Sequence, residues 1–405
     1  MNILDLNDDC LGYLLSHLPA DDYKNFSQVC RRFRDLFIYR YGIRNRHLTF
    51  DISSTRLQLI ELCICRESVQ TLTIDLDHFN TSRAYGSHGC KTPINCFGTL
   101  CYALEGMVNL QCLELKQLEF IITPVVKPFE KIFAAVRNLN ELKILKVCTK
   151  DDWTFDNVWH LSHLEELQLN TRKIGVSVLA KCCKSNPNLK ALHLGYDCVD
   201  KNLKDIVPHC GNLETFKFGM MAESAAYEPL ARLPKLRKLI HYGVRRKDSF
   251  APLLKSLAVR SQLQHLEIDG GSLSAEEVLQ IVQLKGLQQL KCFCLRAECV
   301  EMLAQLKQLQ KLSLWMSSRR DISKALLKIV RECKQLQLLR VATGILSEHF
   351  IDDVAKLLIG IRDEVTQQPL QLEIPTPTHT VSIEQWSFQN SLLHCSPFEA
   401  DSWKL

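Results

Sequence analysis

The side chains best suited to chemistry in this chain are its eighteen cysteines and thirteen histidines. Thiolate and imidazole bind zinc, or make a nucleophile and its base when paired. Their spacing argues against both uses. Cys63-x-Cys65 and Cys292-x-Cys294 each put two thiols on one face of an extended segment, and Cys182 and Cys183 are adjacent, but no second pair follows at zinc-finger distance. His78, His88, Cys90 and Cys96 form one loose cluster in a polar stretch. No nucleophile–base motif surrounds any of them, and there is neither a Gly-x-Gly-x-x-Gly nor a phosphate-binding loop. The expectation is no enzyme, no catalytic residue, no metal and no cofactor.

The cysteines read instead as small core residues, since many occupy apolar positions of a repeating pattern. The first residues, Met1 to Asp9, are acidic and lack a basic region followed by an apolar stretch, so no secretory signal is read. Reduced thiols and a cytoplasmic or nuclear location follow as expectations. Fifty basic against forty-five acidic residues give a net charge of +5, too balanced for nucleic acid to be the main partner. No apolar run approaches the roughly 18 residues that span a bilayer.

The elements that position these side chains are set by a spacing, Leu-x-x-Leu-x-Leu. It opens at Leu110, Leu142, Leu164, Leu189, Leu213, Leu263, Leu309 and Leu336, with weaker copies at Leu236 and Leu287. The ten openings lie 32, 22, 25, 24, 23, 27, 24, 22 and 27 residues apart, the period of leucine-rich repeats, roughly 20–29 residues for one strand and one crossover. Amphipathic segments such as Val178–Cys183, Glu277–Val282 and Lys324–Val330 supply the crossover helices. Cysteine three residues before the first leucine, at Cys210 and Cys333, resembles the cysteine-containing repeat subtype. The fold class expected is α/β: a curved solenoid over residues 46–374, parallel strands concave and helices convex, with a polar loop insertion at 77–98.

Residues 1–45 differ. Asn7 or Asp8 can cap a first helix carrying Cys10, Leu11, Leu14, Leu15 and Leu18. Pro19 ends it. A second short helix carries Tyr23 and Phe26. A third carries Val29, Cys30, Phe33, Leu36 and Phe37, with Arg31, Arg32 and Arg34 on its wet side. Three helices in about 40 residues bury little surface, and their apolar side chains exceed what such a bundle hides. Either an exposed patch awaits a partner, or the stripe packs on the first repeat.

About residues 5–40 of this segment resemble the F-box motif, through Leu6, Asp9, Leu14, Leu15, Leu18, Pro19, Asp22, Val29–Phe33 and Leu36. Asn7 replaces the usual proline, Tyr23 a common leucine and Phe33 a common tryptophan. The resemblance implies a three-helix domain docking on the adaptor of an SCF-type cullin–RING ubiquitin ligase, through Leu6, Leu15, Leu18, Val29 and Phe33. It also implies that the repeats bind a substrate protein while the cullin and RING partners perform the transfer. A leucine-rich-repeat scaffold or inhibitor without ligase role is the alternative.

Strand geometry turns the residues between the leucines to the concave face, where charges alternate in sign. Tyr242, Phe293, Trp315 and Met316, with Lys291 and Arg340, are the expected substrate-binding residues, because aromatic and methionine side chains dominate binding hot spots. Packing against the C-terminal tail competes with that reading. Arg245–Lys247 and Arg319–Arg320 read as solvated turns. Residues 375–405 leave the pattern, being rich in proline yet apolar, and either cap the solenoid or fold back into its concave face.

Overall fold

A computed structural model of the protein describes residues 2–41, 46–51, 53–54, 56–79, 93–117, 128–150, 158–171, 174–195, 203–219, 223–243, 248–316, 321–342, 345–362, 367–374 and 391–397. The chain forms two compact units, Met1–Cys198 and Val199–Leu405.

The first unit opens with three helices, α1 (Asp8–Ser16), α2 (Ala20–Ser27) and α3 (Arg31–Tyr41). The Asn7 side chain accepts a hydrogen bond from the Cys10 amide at 2.8 Å, satisfying one of the donors a helix start leaves open. Asp8 and Asp9 then complement the positive end of the dipole. Pro19, which cannot extend α1, is the residue on which α2 starts. Leu11, Leu15, Tyr23, Phe33 and Phe37 are buried between the helices. Phe26 stacks on Phe33 with centroids 3.8 Å apart, and Tyr23 lies 4.8 Å from Phe37. The bundle does not close on itself. Leu15, Tyr23 and Phe37 share a cluster with Cys65 and Ile64 of α4 (Arg56–Cys65), so the first repeat completes a core that so short a bundle cannot fill alone.

Six strands follow in the first unit: β1 (His47–Phe50), β2 (Thr71–Asp75), β3 (Cys112–Gln117), β4 (Ile144–Thr149), β5 (Glu166–Asn170) and β6 (Ala191–Leu194). Each pairs in parallel with the next, leucine on leucine: Leu72, Leu113, Leu145, Leu167 and Leu192 lie in one row. Burial alternates strictly along β3 and β4, as a period-2 pattern with one covered face requires. Helices α5 (Pro93–Glu105), α6 (Pro128–Val136) and α7 (Val176–Ser185) form the covering layer, with α4, α5 and α6 packed in sequence. α5 begins inside the stretch expected as a loop over 77–98, and a 3-10 turn occupies Leu76–Phe79; residues 80–92 lie outside the described residues.

The second unit continues the scheme with β7 (Thr215–Phe218), β8 (Lys238–His241), β9 (His265–Ile268), β10 (Gln289–Cys294), β11 (Lys311–Met316), β12 (Leu338–Val341), β13 (Leu370–Ile374) and β14 (Leu393–Pro397). All its pairings are parallel and sequential. Its helices are α8 (Ala251–Ala258), α9 (Ala275–Ile281), α10 (Ala297–Met302), α11 (Ser323–Glu332) and α12 (Phe350–Ile361). One strand and one crossover per repeat, stacked in chain order, make a leucine-rich-repeat solenoid. The ladder does not stop at 374. β14 pairs with β13 from Leu370 opposite Leu393 to Ile374 opposite Pro397, and the proline is tolerated because it is the last residue of the strand.

Successive repeats are also tied by side chains that reach back to a backbone carbonyl. Asn186, 1% exposed, donates to Leu161 O at 2.9 Å and to Cys182 O at 2.8 Å, and accepts from Leu164 N at 2.7 Å. Gln262 Nε2 reaches Leu233 O at 2.5 Å, Cys333 Sγ reaches Leu306 O at 3.3 Å, and Arg362 reaches Leu336 O. Leu161, Leu233 and Leu306 each stand three residues before their repeat's first leucine. A buried carbonyl there needs a donor that the next rung alone can supply. Amide and thiol do the same work, which is why no single residue type marks the position. Asn186→Leu leaves one carbonyl and one amide unpaired and is expected to lower stability by about 1–3 kcal/mol in urea unfolding followed by circular dichroism. An unchanged midpoint would mean that the site is solvated.

Candidate functional site

The first candidate surface lies on the N-terminal helices. The apolar stripe of α1 is wider than its bundle buries: Leu11 and Leu15 point inward, while Cys10, Leu14 and Leu18 stand in solvent. Leu14 and Leu18, four positions apart, border one side of the buried stripe. Val29, at the corner between α2 and α3, is 70% exposed and Leu18 39%. The exposed Ile3 and Leu4 sit on a 3-10 turn (Ile3–Asp5) closed by reciprocal bonds between Asn2 and Asp5.

Arg32 fixes this turn against the bundle. Its guanidinium donates to Leu4 O and Leu6 O, each at 2.6 Å, and to Asp8 Oδ1 at 2.9 and 2.7 Å. Arg32 thus stays partly exposed while tying its side of α3 to the N-terminal turn. It holds Leu4 within hydrogen-bond reach of a residue only three positions past Val29. Nothing at the sequence level points to this clamp, because its bonds span 24 to 28 residues.

Two expected contact residues are corrected. Leu15, 1% exposed, and Phe33, 3% exposed, are core residues and offer no surface to a partner. In helices this short, the inward face is chosen by α4 and by the Phe26–Phe33 stack, not by hydrophobicity alone. Leu6 is half-buried, and Leu18 and Val29 remain available. The exposed Ile3, Leu4, Tyr13 and Leu14 were missed; the excess width of the stripe was the available signal. The departures from the motif also have local reasons: Asn7 caps α1, Tyr23 packs on Phe37, and Phe33 stacks on Phe26.

The second surface is the strand face of the second unit opposite the buried leucine row. Phe293 and Trp315 are register partners on β10 and β11, edge to face at 6.3 Å, with Trp315 44% exposed and Phe293 half-buried. Tyr242 is half-buried, with Lys217 Nζ 5.1 Å from its ring centroid. Met316 is corrected: it falls on the alternate face of β11 and is buried. Lys291 and Arg340 sit on the expected face but are engaged, Lys291 Nζ with Asp269 Oδ2 at 3.3 Å and Arg340 with Glu373. His265 Nε2 meets Glu267 Oε1 at 2.5 Å. Lys291, Arg340 and His265 are thus engaged within this face, which also carries Lys217, Lys238 and Lys311 beside the aromatic pair.

Titration follows from the same contacts. Burial pushes the Glu267 carboxyl up, but the hydrogen bond and charge of His265, with Lys291 and Lys238, outweigh it and leave the group below its ordinary value. Burial prevails at Asp269, which is raised despite Lys291. Among the thiols, burial pushes Cys333 and Cys395 up to about 11, leaving them neutral and poorly nucleophilic.

Among the described residues no group of His, Cys, Asp or Glu could hold a metal, and no helix is long and apolar enough to cross a membrane. His88 and Cys90 lie outside the described residues, as do the side chains of His78 and Cys96, and Arg245–Lys247 and Arg319–Arg320.

Residues 3–40 match the F-box domain family, so the chain carries an F-box domain ahead of a leucine-rich-repeat solenoid. No curated protein matches the chain. Among solved structures, an internalin (InlF) of Listeria monocytogenes is 17% identical, covers 73% of this chain and 87% of its own, and has a TM-score of 0.39. An internalin C2 of the same organism is 17% identical over 62% of this chain and 83% of its own, at 0.30. A leucine-rich-repeat protein of Leptospira interrogans is 15% identical over 80% of this chain and 97% of its own, at 0.38.

Two outcomes test these surfaces. Glu267, lowered on folding, stabilises the protein above the ordinary glutamate value of 4.5, and that contribution is lost as pH falls through the lowered one. Glu267→Gln is thus expected to flatten the acid limb of a stability–pH curve; an identical limb would remove Glu267 from it. Arg32→Ala is expected to cost about 1–2 kcal/mol and to open residues 2–8 to limited proteolysis. Wild-type protection of that segment would refute the clamp.

Proposed function

We propose that the protein is the substrate-recognition subunit of an SCF-type cullin–RING ubiquitin ligase. The supporting observation is an F-box domain whose Leu14, Leu18 and Val29 remain in solvent after Leu11, Leu15, Phe33 and Phe37 have filled its core. F-box domains bind SCF adaptors, and exposed leucine and valine next to a pinned N-terminal turn suit that docking. Leu18 and Val29 carry the contact, with Leu6 at its edge. The repeats bind a substrate protein through Phe293 and Trp315, whose exposed ring offers large contact area at low ordering cost. The cullin and RING subunits reached through the adaptor perform the transfer. This chain contributes effective concentration, by holding adaptor and substrate at once.

A second reading, a leucine-rich-repeat scaffold without ligase role, is favoured by one observation: Leu15, Tyr23 and Phe37 pack on α4 like the cap of an array. Co-expression with the SCF adaptor separates the two. The native chain is expected to co-purify with it. The double variant Leu18→Asp, Val29→Asp is expected to lose about 100-fold in affinity while shifting stability by no more than about 0.5 kcal/mol, since both side chains are exposed. Leu15→Asp is expected to unfold the domain instead. Failure of the native chain to bind removes the ligase role. In cells, proteins that accumulate with the double variant are expected to accumulate with Phe293→Ala, Trp315→Ala, whose adaptor binding is intact; no overlap would remove the substrate role of the aromatic pair.

A further inference from the structure

Residues 2–6 carry more bonding than their burial requires. None of the three residues of the turn Ile3–Asp5 is buried, and its two aliphatic side chains stand in solvent, Ile3 at 46% and Leu4 at 48% exposure. A single helical turn makes too few main-chain bonds to offset the entropy of fixing it. Here Asp5 N donates to Asn2 O at 2.9 Å and Leu6 N to Ile3 O at 3.4 Å. Side chains close the turn from both ends, with Leu4 N donating to Asn2 Oδ1 at 3.1 Å and Asn2 N to Asp5 Oδ2 at 2.9 Å.

Arg32 then ties this turn to α3. Its Nη1 donates to Leu4 O, its Nη2 to Leu6 O, and Nε with Nη2 to Asp8 Oδ1. An exposed pair between Arg32 and Asp8 alone would contribute little. The two carbonyls are what the planar fork adds, and three acceptors on one guanidinium fix orientation as well as position. Elsewhere, Asn186 and Cys333 answer carbonyls in buried bonds. The bond to Leu4 O is exposed, and water would satisfy that carbonyl equally well. The clamp therefore adds order to an aliphatic segment, not cover.

We infer that Arg32 is a positioning residue for adaptor docking, and that the turn it holds presents Ile3 and Leu4 as further contacts for the same adaptor. This role presupposes the docking proposed above and extends it from Leu18 and Val29 to a segment ahead of the first helix. Two observations assign the adaptor as occupant. The turn lies inside residues 3–40, the part of the chain that matches the F-box domain. Leu4 is also bonded to a side chain three positions past Val29, so both fall within one interface of ordinary size. With the backbone of residues 2–6 already ordered in the free chain, that ordering is not a cost of association.

The test is the affinity of the full-length chain for the purified SCF adaptor, measured by isothermal titration calorimetry in a double-mutant cycle. Ile3→Ser with Leu4→Ser is expected to weaken binding about tenfold, and Arg32→Ala by a similar factor, each in a chain whose circular dichroism shows the fold retained. The triple variant is expected to bind no more than about twofold more weakly than Arg32→Ala, because a released turn has no fixed contacts left to lose. Native affinity in Ile3→Ser, Leu4→Ser overturns the contact, and native affinity in Arg32→Ala overturns the positioning role. A triple loss equal to the product of the separate losses also overturns that role, since Arg32 would then touch the adaptor itself. In each of these cases the native chain still binds and the docking at Leu18 and Val29 stands. Absence of binding by the native chain overturns both.

Discussion

The structure depends on one constraint: no repeat can bury its leucines, or satisfy its own turn carbonyls, without the next repeat. A single strand with one helix has no interior. Rows such as Leu72, Leu113, Leu145, Leu167 and Leu192 are removed from water only because they stack. Asn186, Gln262 and Cys333 impose the same dependence on the polar groups, each answering a carbonyl one rung back. The N-terminal helices obey the rule too, borrowing Cys65 and Ile64 to finish their core.

The same constraint sorts the surfaces. The rows between strands are covered by the neighbouring rungs, while Leu14, Leu18 and Val29 of the N-terminal helices stay exposed. Some charges are paired between rungs, as Lys291 with Asp269 and Arg340 with Glu373.

How much of this was legible depended on the range of the interaction. Leu-x-x-Leu-x-Leu is local and periodic, so the strands from Leu110 to Val341 and the α/β architecture are legible directly, whereas β14 lacks the motif and is not. The wide stripe of α1 announced surplus apolar surface, but Leu14 and Leu15 have the same chemistry, and only the placement of α4 decides which one is covered. Phe33 was read as a contact for the same reason. Met316 lies beyond the last leucine of its motif, and only the extension of β11 to residue 316 puts it on the buried face. Arg32 and the Lys291–Asp269 and Arg340–Glu373 pairs were invisible, since a bond between residues 22 to 33 positions apart leaves no mark in composition.

The cluster joining Tyr23, Phe37 and Leu15 to α4 has a consequence for anyone cutting the chain. The motif ends near residue 40, and a natural-looking scissor point lies between α3 and β1. Severing there would strand three large side chains without their wall. The smallest excisable module therefore extends through residue 65, and a graft of the F-box onto a foreign scaffold must carry that extra helix as part of its hydrophobic lining.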